Sequence, residues 1–310
     1  MDSNKLQLRP AEESELPDLW GLILRSAGQR RAKASRAGRT LLSLAEEQGL
    51  QFAGQWVVSG GAGVVAGCSL IVSPGRTGTV MMAAEGPARA RALVVEGLGR
   101  LVEQADRLGL RMIQALIGSG MGQGQVLAEA GFEFLARLLY LEREVVEPLP
   151  DRPTAGLTWQ RYEAGGEGVF GEVIAASYQG SLDCPGLAGV RTIEEVIESH
   201  KAAGEFRPEW WWLLRCDGRA VGVLLLNQVV HRPAAEIVYM GLVPGARGRG
   251  LGGALVGRAI EQARQAGLER VILAADEANV PARRLYGRFG FVQAGTRDAW
   301  VRILRRADGR

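Results

Sequence analysis

The stretch Glu236–Gly253 reads E-I-V-Y-M-G-L-V-P-G-A-R-G-R-G-L-G-G. It passes from an apolar strand, through a turn marked by Pro244 and Gly245, into a glycine-dense helix start that runs on as ALVGRAIEQARQAG. The first N–H groups of a helix have no partner within it, and the aligned peptide dipoles leave partial positive charge there. Gly248, Gly250 and Gly252 give an anion room to approach those N–H groups, and Arg247 adds a full charge. This is the chemistry of a phosphate or pyrophosphate cradle.

Outward from this stretch the pattern is α/β. Upstream, TWQRYE reads as a strand, Glu167–Tyr178 and Ile193–Ala203 as helices, and WWWLLR and AVGVLLLNQVV as strands flanking the tight turn Cys216-Asp217-Gly218. Downstream come the strand Val271–Ala275, a helix over about 280–289 and the strand-like end FVQAGTRDAWVRIL. Residues 147–156, EPLPDRPTAG, hold three prolines and read as a linker. Before the linker the same order occurs once already. Leu6–Arg9 is a strand, and two helices follow, with apolar spacing at Leu16, Leu19, Trp20 and Ile23 and then at Leu41, Leu42 and Leu44. A hairpin turns around Gly60–Gly61, Gly78–Ala84 is a further strand, and a long helix ends at Gly109. Arg111–Ile117, Gln123–Ala130 and Glu133–Val145 complete the set as strand, helix and strand.

The two halves match in residues as well as in order. VEQADRLGL (102–110) aligns with IEQARQAGL (260–268), and EAGFEF (129–134) with RFGFVQ (288–293). The chain therefore reads as one α/β unit used twice. The alignment lays Arg89-Ala90-Arg91-Ala92-Leu93-Val94 over Arg247–Gly252, with all three glycines replaced. Side chains at Ala90, Ala92 and Val94 are expected to fill the anion space in the first copy.

Composition excludes several classes. The 310 residues are 47% hydrophobic and 23% charged with a net charge of +3, which suits a globular protein and argues against nucleic-acid or membrane surfaces as partners. No apolar run reaches the roughly 18–20 residues of a membrane span. Cys68, Cys184 and Cys216 lie far apart with no C-x-x-C pair, and the first residues lack a signal pattern, so a reducing, cytoplasmic location is expected.

Three phosphate ligands compete for the cradle. A nucleotide P-loop, G-x-x-x-x-G-K-[ST], is absent. The dinucleotide fingerprint G-x-G-x-x-G is met by Gly248, Gly250 and Gly253, with Asp276 where a ribose-binding acid would stand. That motif usually opens a doubly wound domain, yet only 34 residues follow Asp276 in the chain of 310. The third ligand is acetyl-CoA. The segment Leu242-Val243-Pro244-Gly245-Ala246-Arg247-Gly248-Arg249-Gly250-Leu251-Gly252 resembles the GNAT acetyltransferase pattern V-x-P-x-x-[RQ]-G-x-G-x-[GA], with Leu in the first slot. Asn279–Phe291 matches the family's N-x-x-A-x-x-L-Y-x-x-x-G-F in full, at Asn279, Ala282, Leu285, Tyr286, Gly290 and Phe291. The resemblance covers about 155–310 well. Residues 1–147 share only the element order and the Gly-Phe ending.

The resemblance implies a fold of two tandem GNAT-like units, each a mixed, mostly antiparallel twisted sheet flanked by helices. It divides the chain into a degenerate copy at 1–147, a linker at 148–155 and a catalytic unit at 156–310. It implies an N-acetyltransferase with acetyl-CoA as co-substrate and no metal, acting on a small-molecule or peptide amine as monomer or homodimer. A CoA-binding module without catalysis is the alternative from another class, and a dinucleotide-dependent oxidoreductase a third. By the same resemblance the backbone from Arg247 through Gly248, Arg249, Gly250, Leu251 and Gly252 to Gly253 holds the pyrophosphate. The strand Met240-Gly241-Leu242-Val243, splaying from its neighbour after Gly241, pairs with the pantetheine arm. Leu242 N–H faces the thioester oxygen, Asn279 and Ala282 border the arm, and Tyr286 protonates the leaving thiolate. Glu236 is the candidate general base. On a regular strand Tyr239 points to the face opposite Glu236. His200 and His231 are expected at the surface, Asp183 and Cys184 beside the acceptor, and Trp210, Trp211 and Trp212 in the core.

Overall fold

Alternating and helical apolar patterns become twelve strands and eight α-helices among the described residues of this computed structural model. It describes residues 6–27, 34–47, 49–61, 63–119, 122–145, 149 and 155–305. Most of the expected linker therefore lies outside the described residues. The chain forms two units. One comprises the residues up to Leu135 together with those from Arg297, and the other is Ala136–Thr296.

Unit 1 contains β1 (Gln7–Pro10), α1 (Leu16–Ser26), α2 (Ala34–Glu47), β2 (Gln51–Gly60), β3 (Gly63–Ser73), β4 (Thr77–Ala83), α3 (Ala88–Arg107), β5 (Met112–Ile117) and α4 (Gln123–Glu129). Its sheet runs β1-β2-β3-β4-β5, antiparallel except for β4 with β5. Leu98, Leu101 and Ala105 of α3 pack on one face against Val58, Leu70 and Ile113. Leu19, Trp20 and Ile23 of α1 cluster with Val57 and Ala83.

Unit 2 takes most of β6 (Glu133–Glu144), then β7 (Leu157–Arg161), α5 (Glu167–Tyr178), α6 (Ile193–Lys201), β8 (Trp211–Cys216), β9 (Arg219–Gln228), β10 (Ala234–Leu242), α7 (Leu251–Gln265), β11 (Arg270–Asp276) and α8 (Val280–Arg288). Its sheet order is β6-β11-β10-β9-β8-β7, antiparallel except for β10 with β11. Both faces are covered, which is why β9 is a continuous apolar run rather than an alternation. Leu224 and Leu226 face Leu255 and Ala259 of α7, while Val223 and Leu225 face Phe170 and Ile174 of α5. Trp210 and Trp212 join the first core and Trp211 the second, as the alternation predicts, although Trp210 closes a 3₁₀ turn before the strand. The β8–β9 turn is tight because Asp217 (φ 50°) and Gly218 (φ 74°) are both left-handed, the geometry of an Asp-Gly hairpin.

The two units are not the two halves expected on either side of the linker. The last strand, β12 (Val292–Ile303), pairs with β5 of unit 1 from Asp298↔Ile117 to Ile303↔Met112. The strand before the linker, β6, pairs with β11 of unit 2 from Leu138↔Asp276 to Glu144↔Arg270. Each repeat ends in a strand of the same type following a Gly-Phe pair, so either strand fits either place. Composition does not mark which partner it takes.

Candidate active site

The site starts at a parting of strands. β10 pairs with β11 only from Ala234 to Glu236, but pairs with β9 through to Leu242↔Gly222. The β9–β10 register jumps between Ile237 and Tyr239, so Val238 is a bulged residue. Beyond Glu236 the β11-side edge of β10 is therefore free. The parting lies earlier than the expected point after Gly241, because the bulge turns the strand there. Val243 N–H donates to Val221 O at 3.0 Å, so alternation turns the N–H groups of Leu242 and Met240 away from β9. Leu242 O lies on that free side and accepts from Arg247 Nε at 3.1 Å. The bulge also corrects the expected placement of Tyr239. Glu236 pairs with Asn227 and Tyr239 with Leu225, which puts both on the same face of the sheet.

The open edge runs into the glycine turn. Gly248 (φ 73°) and Gly250 (φ 78°) are left-handed, and Gly250 caps α7. The N–H groups of Arg247 and Gly253 are engaged by Pro244 O and Gly250 O. Those of Gly248, Arg249, Gly250, Leu251 and Gly252 have no partner among the described residues. The available cradle is thus Gly248–Gly252, narrower than Arg247–Gly253. Gly252 lets α8 pack close beside it, since a Cβ there would meet Leu285 Cδ2 at 2.8 Å. The Arg247 side chain has another task. It donates to Leu242 O, to Gly180 O at 3.1 Å and to Ser177 O at 2.7 Å, tying the end of α5 to the open strand. Its acceptors are neutral carbonyls, so its charge still acts at the cradle.

A cleft of about 470 Å³ runs along this edge, walled by the end of α5 and the loop after it, by β10, by the cradle and by α8. Met240, Gly241, Leu242, Arg247, Gly248, Gly250, Gly252, Gly253, Asn279, Ala282 and Tyr286 all line it. Among the expected residues, Glu236, Val243, Arg249 and Leu251 do not. Leu251 is buried in the α7 core, and Val243 packs against the core on its own side. Gly241 has a tight environment: a Cβ there would meet Ser177 Oγ at 2.5 Å and Tyr239 Oη at 2.8 Å. Ser177 Oγ donates to Ile174 O at 2.7 Å, which leaves it to accept from Tyr239 O–H at 2.7 Å.

Tyr286 is buried in the cleft wall with its ring 5.7 Å from Phe291. Burial, then the nearby Asp183 charge, pushes its phenol far up, so it stays protonated at neutral pH. The Asn279 carbonyl caps α8 by accepting Ala282 N–H at 3.3 Å, so the side-chain amide N–H₂ is what remains for a ligand. Burial raises the Glu236 carboxyl above the usual range. His231 is exposed in the β9–β10 turn, as expected. His200 is not a surface residue. Its ring stacks on Tyr239 at 5.4 Å, its Nε2 is closed off from solvent, and burial, with the charge of Arg191, lowers it to about 4. Burial, then the charges of Asp183 and Asp276, pushes the Cys184 thiol up to about 12.

The sequence reading did not find the pairing of Asp183 with Asp276. Asp276 N–H donates to Asp183 Oδ1 at 2.9 Å, and Cys184 N–H donates back to Asp276 Oδ2 at 3.2 Å. Asp276 Oδ1 accepts from Ala278 N–H at 2.8 Å. The acid that ends β11 is thus a structural pin for the loop after α5 and not a ribose ligand. The S-L-D-C-P-G turn residues were the only sequence signal for it.

An open strand edge leading into a cradle of free N–H groups, with a buried tyrosine opposite, defines the class. Residues 181–291 match the model of the acetyltransferase (GNAT) family. Among proteins of known name, the chain is similar to mycothiol acetyltransferases. It is 39% identical to that of Beutenbergia cavernae over 106 residues, 33% of this chain and 35% of the relative. It is 32% identical to that of Thermomonospora curvata over 171 residues, 54% of this chain and 56% of the relative. The matched stretches thus span between about a third and just over half the length of these relatives. Over nearly its whole length the fold is similar to that of a GCN5-related N-acetyltransferase from Sphaerobacter thermophilus. That structure has a TM-score of 0.67 and 19% identity, covering 97% of this chain and 96% of the other.

Proposed function

We propose that unit 2 is an acetyl-CoA-dependent N-acetyltransferase that moves an acetyl group to a primary amine by direct attack in a ternary complex. The observation that carries this reading is the continuity of the site. The free edge of β10 presents N–H groups at Met240 and Leu242, and within a few residues the chain enters the Gly248–Gly252 cradle. An extended amide-bearing arm ending in a pyrophosphate has the shape and hydrogen-bonding pattern this path accepts, by strand addition along the edge and by free helix-start N–H groups at its end.

Acyl transfer from a thioester requires a polarised carbonyl, a neutral amine and a proton for the leaving thiolate. Leu242 N–H supplies the first and Tyr286 O–H the last. The acceptor is a small-molecule or peptide amine, and the expected location is the cytoplasm. Among the described residues, unit 1 has no equivalent cradle. The stretch matching it, Arg89–Val94, is already wound into α3, where Ala90 and Val94 are buried in the core and Ala92 is exposed. One CoA per chain is therefore expected.

The test is calorimetry with CoA, followed by thiol release from acetyl-CoA against ethanolamine, glucosamine, lysine amide, spermidine and methoxyamine. A second reading, a CoA-binding module without catalysis, is favoured by the position of Glu236 away from the cleft lining. Binding of CoA without turnover of any of these amines would support the module. Protection by NAD and not by CoA would remove both readings.

A further inference from the structure

The cleft needs a proton acceptor, and the expected one does not line it. Among the described residues that do, Asp183 is the single carboxylate. Its position is built rather than incidental. Oδ1 accepts Asp276 N–H, and the Asp276 carboxylate in return holds Cys184 N–H, so two hydrogen bonds fix the loop at the cleft wall. Asp183 Oδ2 has no partner among the described residues. Solvent reaches Asp183 through the cleft, while Tyr178 and Tyr239, in edge-to-face contact at 5.5 Å, and Tyr286 lie within range of its charge.

We propose that Asp183, and not Glu236, is the carboxylate that receives the acceptor's ammonium group and takes its proton. This rests on the acetyltransferase reading above and assigns the acceptor as a primary ammonium compound. Two protons leave the nitrogen. The first passes from the ammonium to Asp183 Oδ2 and from there to cleft water. The neutral amine then attacks the thioester carbon, forming the C–N bond while the carbonyl oxygen is held by Leu242 N–H. As the C–S bond breaks, Tyr286 gives its proton to the sulfur and regains the second proton from the nitrogen.

The charged and titratable groups around Asp183 are Asp276, Cys184, Tyr178, Tyr239 and Tyr286, with Arg191 acting on Tyr178 and Arg247 on Tyr239. Burial, then the charge of Asp276, raises the Asp183 carboxyl against the lowering effect of the Asp276 N–H.

The test uses the full chain and the best acceptor of the amines above. Asp183→Asn keeps an oxygen for Asp276 N–H and removes the base. Its expected effect is a fall of about 10²-fold or more in acceptor kcat/KM with loss of the acid limb of the pH profile. The CoA Kd should stay unchanged, and the defect should be smaller with methoxyamine, which is uncharged at neutral pH. Glu236→Gln should keep the acid limb. An Asp183→Asn enzyme with normal kcat/KM and an intact acid limb would overturn the proposal, as would loss of that limb in Glu236→Gln alone. If Asp183→Asn fails to bind CoA, Asp183→Glu carries the test: a reduced kcat with the limb retained supports the proposal, and an unchanged kcat overturns it. A wild-type chain that binds CoA but acetylates none of the amines removes the acetyltransferase reading, and this proposal with it.

Discussion

At the scale of single residues, burial sets the protonation states that matter. Tyr286 is held protonated in the cleft wall, which suits a donor to a leaving thiolate. Tyr286→Phe is expected to lower kcat about 10²-fold while leaving the CoA Kd unchanged, read by steady-state kinetics and calorimetry. His200 affects stability instead. Its folded-state value of about 4 lies below the unfolded 6.5, so below pH 6.5 the unfolded chain binds more protons. The contribution is complete above pH 6.5 and is lost as pH falls toward 4, on the order of 3 kcal/mol over the window. His200→Phe keeps an aromatic ring against Tyr239 and should flatten the pH dependence of Tm between 6.5 and 4 relative to wild type. A parallel fall in both proteins would show that His200 contributes nothing.

At the scale of elements, the site depends on two helix starts and one bulge. Gly250 caps α7 in a left-handed conformation, and Gly250→Ala is expected to cost about 1–2 kcal/mol in chemical denaturation and to weaken CoA binding as well. Asn279 caps α8 through its side-chain oxygen, and Asn279→Ala should cost about 1 kcal/mol. A raised CoA Kd beyond that stability loss would show that the free amide N–H₂ also meets the ligand. The helix starts were legible because glycine, asparagine and proline carry local backbone requirements. The Val238 bulge was not, since I-V-Y-M has the composition of a regular strand. A single extra residue moved Tyr239 onto the face of Glu236 and opened the β10 edge upstream of Gly241.

At the scale of the whole molecule, the repeat was legible and the assignment of its last strands was not. A fragment of residues 156–310 lacks Ala136–Glu144, so the β6-side edge of β11 is left unpaired in an otherwise buried sheet. It is expected to aggregate or to give no CoA-dependent thermal shift. A fragment of residues 136–296 retains β6–β11 and is the better candidate for an independent CoA-binding unit. If 156–310 binds CoA as the full chain does, the strand pairing is not required.

The sequence by itself carried the α/β pattern, the repeat and the glycine-rich helix start, through local periodicity, through matching residues in the two halves and through glycine, whose backbone freedom is visible in one dimension. Tyr286 was named only by the resemblance of Asn279–Phe291 to a family pattern. Only the tertiary structure decided which strand closes each unit, where β10 leaves β11, and that Arg247 spends its hydrogen bonds on three backbone carbonyls. It also brought Asp183 to Asp276 across 93 residues of chain. The physical reason is the same in each case: these are pairings between groups far apart in sequence, set by sheet register and loop closure rather than by anything adjacent residues carry.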